Sequence, residues 1–230
     1  MPSTGPSSRS KAPQPSARLI RSDADVALGL KALRRQCPVI RRMHDLVGHP
    51  PLRLRQPGFE GLARIVVGQQ VSVASANAIW ERTRAAIDPF EASTVLALSE
   101  DALRAAGLSR PKVRTLQAIA GAIAEDGLDL AALADLDAVL VHERLCAISG
   151  IGPWTADVFA LFCMGHADAF APGDLALQAA AQTAFELAAR PDAKALAALA
   201  ERWRPWRGVA ARLLWAYYKT TKASTSGVPV

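Results

Sequence analysis

Three short stretches carry residues whose types and spacing could do chemistry. The first, LCAISGIGPWTADVFALF (145–162), breaks an apolar run with Gly150 and Gly152 and restarts it behind Pro153. Glycine reaches backbone angles closed to other residues, and proline suits the first position of a helix. The pattern predicts two helices joined by a very short turn. Its N–H groups have no side chain in front of them and sit at the positive end of the second helix dipole. That is an anion site, and a phosphodiester fits it. A tight αα-hairpin with nothing bound fits the same spacing.

The second stretch is AFAPGDLAL (169–177). Asp174 follows a Pro–Gly turn and precedes an apolar helix, the position of a helix N-cap. A capping carboxylate is also available for chemistry, so the two roles are compatible. The third stretch is VGQQVSVASA (67–76), where Gln70 lies in a break between helical patterns. Trp154 and Trp215 are either pocket walls or core residues. Trp80, Trp203 and Trp206 read as core. Asp157, three residues after Trp154, is expected to face water.

Elements that position these residues follow from the 3.6-residue period. Helices are expected over Ala24–Gln36, Val39–Val47, 59–87 with an interruption near Gly68–Val71, 93–99, 100–107, 111–127 and 129–148. Further helices are expected over 175–189, 191–202 and 206–219, with 169–174 a loop. No convincing strand is found. Many short helices with short connections imply a globular all-α array.

The 230 residues suffice for a sizeable core in one domain or two small lobes. Half are apolar, yet no run of about 20 apolar residues exists, and the first residues lack a hydrophobic segment. The expectation is a soluble intracellular protein. Cys37, Cys146 and Cys163 are too few for a disulfide framework or a four-cysteine cluster, and read as buried thiols. His44, His49, His142 and His166 show no metal-binding spacing. The net charge is +6, with bases clustered near both ends (Arg34, Arg35, Arg41 and Arg42; Arg202, Arg204 and Arg207). Clustered bases suggest a polyanion partner; helices solubilised by scattered arginines are the alternative.

L-x-x-I-x-G-I-G-P-W-T-A (145–156) followed by P-G-D (172–174) resembles the helix-hairpin-helix DNA glycosylase superfamily. VGQQVSVASA and ERWRPWRGVAARLLW (201–215) are similar to its 3-methyladenine DNA glycosylase II branch. The resemblance covers roughly residues 25–220. It implies two helical lobes with an active cleft between them, and leaves no room for the N-terminal mixed α/β domain of the best-known bacterial members. The expected organisation is a disordered tail over 1–20, the glycosylase domain over 21–220 with its hairpin at 145–164, and a flexible C-terminus over 221–230.

The resemblance implies roles for particular residues. Asp174 is the catalytic carboxylate, stabilising the oxocarbenium-like state formed when an N-glycosidic bond breaks. Trp154 and Trp215 line the pocket for a flipped alkylated purine such as 3-methyladenine or 7-methylguanine. Val158 and Ala216 occupy positions that can be aromatic in relatives, which opens the question of substrate range. Gln70 fills the gap left by the flipped base; a solvated polar residue is its alternative. Gly150, Ile151, Gly152 and Thr155 meet the DNA backbone, with a monovalent cation on the carbonyls of 148–152 assisting. Trp154 stands where the lyase branch carries a Schiff-base lysine, which implies a monofunctional hydrolase. Lys112 reads as structural, with at most a backbone contact.

The implied partner is double-stranded DNA containing alkylated bases. No cofactor and no membrane are expected, and the protein is expected to act as a monomer in the bacterial cytoplasm, on the nucleoid. Two rivals stay open: a non-catalytic helix-hairpin-helix DNA-binding module, and a glycosylase for oxidised or deaminated bases.

Overall fold

The computed structural model describes residues 18–225. Their regular structure is helical, apart from one isolated antiparallel bridge between Leu19 and His166. Helix α1 (Asp23–Gln36) starts at a reciprocal capping box between Ser22 and Asp25. Cys37 separates it from α2 (Pro38–Val47), and the chain then runs without regular structure to α3 (Gly58–Val67). There follow α4 (Val73–Ala86), α5 (Ala92–Ala97), α6 (Glu100–Ala105), α7 (Arg110–Ala124), α8 (Ala138–Cys146) and α9 (Pro153–Phe162). The last three are α10 (Leu175–Ala184), α11 (Ala193–Ala200) and α12 (Arg207–Thr225).

These helices form two lobes. In one, α7 packs on α3, α5 and α6, while α9 packs on α3 and α8. Leu62, Leu116, Ile119, Leu145 and Phe159 are fully buried there. The other lobe joins the two ends of the chain: α12 lies against α1, α2 and α10, and α10 touches α11. Its interior holds Val26, Leu33, Ile40, Trp203 and Val209. Burying such side chains supplies most of the driving force for folding.

The lobes meet where the end of α9 faces α12. The buried guanidinium of Arg212 donates to the carbonyls of Leu52, Gly208 and Leu161 at 3.1, 2.9 and 2.7 Å. Burial pulls its pKa down to about 10, so it stays charged at neutral pH. The loop leading to Asp174 is pinned as well. Arg207 grips both oxygens of Asp168 at 3.0 Å, and the Gly208 amide donates to Ala167 O at 2.7 Å. Trp215, three residues after Arg212, thereby comes to face the start of α10.

Several expectations need correction. The stretch 129–148 is not one helical pattern: a 3-10 turn (Ala132–Asp135) precedes α8, which starts at the N-cap Asp137. Helix α10 ends at Ala184, five residues before the expected 189, and Glu186 has φ +54°. Helix α12 runs to Thr225, past the expected boundary at 220. At the other end Ile20 is fully buried and its amide donates to Gly165 O at 2.6 Å, so the fold begins before residue 21. Residues 1–17 of the tail expected over 1–20, and the last residues 226–230, lie outside the described residues. Cys146 is half-buried, unlike Cys37 and Cys163. Trp80, Trp203 and Trp206 pack inside, as the sequence suggests.

Candidate active site and nucleic-acid interface

Asp174 caps α10. Its Oδ1 accepts the Ala176 and Leu177 amides, both at 3.0 Å, which satisfies two of the orphan donors of a helix start. The same oxygen accepts the indole N–H of Trp215 at 3.1 Å. Its Oδ2 accepts the indole N–H of Trp154 at 2.8 Å. The carboxylate that caps α10 is thus also the acceptor of both indoles. One oxygen is saturated by three donors. The other holds a single donor, so it keeps acceptor capacity for a water or a developing positive charge.

The two tryptophans come from different lobes. Trp154 lies in the first turn of α9 and is 37% exposed, so it is not a core residue. Trp215 lies on α12, half-buried against the Phe162 ring with centroids 5.3 Å apart. The carboxylate therefore sits at the seam between the lobes. Beside Trp154 opens a cleft of about 760 Å³. The exposed apolar side chains Leu54, Val71 and Val73 line it together with Arg55, Arg64 and Asn77. Glu60 and Arg84 line it too, so its wall is polar as well as apolar, and neither Asp174 nor Trp215 is among its lining residues. Val158 is buried and Ala216 half-buried.

The hairpin turn runs from Ala147 to Gly152, between α8 and α9. Gly150 has φ +87°, and a Cβ there would lie 2.1 Å from Thr115 Oγ1. Both conformation and space demand glycine. Gly152 differs from the expectation: its φ is −90°, open to any residue, and a Cβ there would meet nothing within 4 Å. Its lack of a side chain leaves open space outside the turn. Among the described residues, neither the Gly150 nor the Gly152 amide is engaged. The Ile151 amide donates to Ile148 O at 3.0 Å, and its side chain is buried. That carbonyl retains a lone pair, as an ion held by backbone oxygens would need. Among the described residues no cluster of three His, Cys, Asp or Glu could hold a metal.

Thr155 is buried, and its hydroxyl accepts from Gln69 Nε2 at 2.6 Å. Its side chain therefore ties α9 to the turn after α3. Gln70 lies exposed on the turn after α3 with φ +55°, an uncommon conformation for a residue with a side chain. A shallow concavity of about 480 Å³ runs between this turn and the hairpin, lined by Gln70, Gly150, Gly152 and Trp154. Asp157 does not face water. It is 8% exposed, with Oδ1 2.7 Å from His142 Nδ1. Burial pushes its pKa up to about 6 against the opposing pull of His142.

Gln69, Arg55 and Arg64 were missed by sequence reasoning. Gln69 stands beside the more exposed Gln70 in a break without periodicity. The alternation of leucine and arginine over 52–55 was a weak signal for Arg55, whose guanidinium lies 5.4 Å from the Phe162 ring centre.

Residues 63–205 match the family model described as HhH-GPD superfamily base excision DNA repair protein. A Mycobacterium tuberculosis protein named probable bifunctional transcriptional activator/DNA repair enzyme AlkA is 38% identical over 110 residues. That match spans 47% of this chain but 21% of the relative, about one fifth of its length. The DNA-3-methyladenine glycosylase 1 of Schizosaccharomyces pombe is 28% identical over 198 residues, 83% of this chain and 85% of that protein. Among known structures, a DNA-3-methyladenine glycosidase from Bacillus halodurans superposes with a TM-score of 0.76 at 28% identity. That alignment covers 90% of this chain and 94% of the other.

Proposed function

The chain belongs to the HhH-GPD superfamily of base excision DNA repair proteins, and we propose that it is a monofunctional DNA glycosylase for alkylated purines of the 3-methyladenine and 7-methylguanine type. The observation that carries this reading is the Asp174 carboxylate, held by two indoles from opposite lobes with Oδ2 left partly unsatisfied. The names of the relatives from Schizosaccharomyces pombe and Bacillus halodurans point the same way.

The geometry supports the following mechanism. The amides at Gly150 and Gly152 grip a phosphate, which positions the enzyme without reading sequence. A monovalent cation on the carbonyls of 148–152 would add positive charge facing that phosphate. Gln70 enters the stack as the damaged base leaves it. The base passes into the cleft beside Trp154, whose ring face attracts a cationic purine. As the glycosidic bond breaks, positive charge develops on the deoxyribose. Oδ2 of Asp174 stabilises it and can orient the attacking water. An alkylated purine is a good leaving group, so no strong general acid is required. Trp154 has no amine for a Schiff base, so the product is an abasic site in an unbroken strand. The protein acts as a monomer on DNA in the cytoplasm.

A panel of oligonucleotides bearing methylated, etheno, deaminated and oxidised purines tests the reading, in EDTA, with released bases quantified. Strands should stay intact on denaturing gels and break only after alkali. Strand cleavage before alkali with a borohydride-trapped adduct would overturn the monofunctional assignment. Binding without base release on every substrate would favour a non-catalytic module.

A further inference from the structure

Helix α7 touches both turns that the proposed mechanism sends to DNA. Thr115 on this helix lies directly beneath Gly150 of the hairpin. One turn earlier, the half-buried Lys112 donates from Nζ to Val67 O at 2.7 Å and to Gln69 O at 2.9 Å. Val67 ends α3, so its carbonyl belongs to those a helix leaves without an internal donor. An ammonium there also meets the negative end of the helix dipole. The two carbonyls bracket Gly68, and Gln70 follows at φ +55°. On the far side, Gln69 Nε2 ties the same turn to Thr155 in the first turn of α9, beside Trp154. Burial lowers the Lys112 pKa, in keeping with an amine committed to the interior.

We propose that Lys112 is a positioning residue for base extrusion: it locks the Gly68–Gln70 turn in the conformation that presents Gln70 to the duplex. The inference rests on the reading of Gln70 as the residue that enters the stack. A left-handed backbone at a glutamine is held by its surroundings or not at all. Two charge-assisted bonds from one ammonium, in a half-buried site, supply that hold. Without them the turn relaxes, and Gln70 must be ordered during each encounter.

The test compares single-turnover excision of 7-methylguanine from two duplexes. In one the lesion faces cytosine; in the other it faces a tetrahydrofuran spacer, so that no base pair has to be broken and no orphaned base has to be held in the stack. Lys112→Met should lower the paired-to-unpaired rate ratio about tenfold, the scale of losing a hydrogen bond to a charged group. Lys112→Arg should restore the ratio, because a guanidinium can reach both carbonyls. Gln70→Ala should lower the ratio by at least as much. If Gln70→Ala leaves the ratio unchanged, the reading of Gln70 fails and the inference with it. If Gln70→Ala lowers the ratio but Lys112→Met slows both duplexes equally, Lys112 is merely structural and the inference is overturned. Should Lys112→Met not fold, Lys112→Gln, which keeps a neutral NH2 donor on a shorter stem, should show an intermediate ratio; a wild-type ratio would overturn the proposal.

Discussion

The indole N–H of Trp154 donates to Oδ2 of Asp174 across 2.8 Å, joining the first turn of α9 to the N-cap of α10. One side chain thus serves as cleft wall and as hydrogen-bond donor. The two duties can be separated. Trp154→Phe keeps an aromatic face but removes the donor. Excision should fall about tenfold, the scale of one hydrogen bond to a charged group, with lesion-DNA binding little changed. Single-turnover rates and equilibrium titrations measure the two halves. A rate equal to the wild type would show that the indole N–H plays no part in holding the carboxylate.

The two glycines of the hairpin should fail in different ways. Gly150→Ala places a Cβ against Thr115 at a positive φ, so it should lower stability by about 1–3 kcal/mol. Gly152→Leu puts its Cβ where no protein atom lies within 4 Å and should melt near the wild-type temperature, but it fills the space a phosphate would approach. Its affinity for damaged and undamaged duplex should drop alike, since backbone contacts are blind to the lesion. A loss confined to damaged DNA would place Gly152 in the base pocket instead.

Asp157 gives a pH dependence with a defined sign. Its pKa rises from 3.8 to about 6, chiefly through burial; His142 and Arg207 oppose the rise, and the Cys146 thiol is a further neighbour. Between these values the folded chain holds a proton that the unfolded chain releases. The stability contributed by this group is therefore lost as pH rises from about 4 to about 6, and is flat above. Urea midpoints of the wild type minus those of Asp157→Asn should decline across that window. A difference that rises with pH would mean that the His142 pairing outweighs burial.

How legible this was depends on the range of the interactions. The starts of α9 and α10 are legible because their signals are local: Pro153 begins α9 and Asp174 caps α10 through amides two and three residues away. The inter-lobe cleft and the separate roles of Asp174 and Trp154 came from motif resemblance, not from periodicity, and the hydrogen bond between the two was not foreseen. Links that join distant segments left no mark. Gln69 and Thr155 stand 86 residues apart, and Lys112 reaches back 45 residues to Val67. Asp157 was misread because an aspartate suggests solvent, whereas its partner His142 lies across the hairpin on α8. Gly152 was misread because a glycine invites an argument from backbone angles. There the missing side chain matters for the open space outside.

The proposed role of the Asp174 carboxylate is to stabilise the charge formed as the glycosidic bond breaks. Asp174→Asn keeps the size of the side chain and an oxygen to cap α10, but removes the negative charge. The most direct measurement is single-turnover release of 7-methylguanine by this variant, with its affinity for the same duplex titrated in parallel. This role predicts duplex affinity close to the wild type and release slowed on the order of 10²-fold or more, as when one transition-state stabiliser is removed. Release near the wild-type rate by a folded Asp174→Asn protein would contradict it.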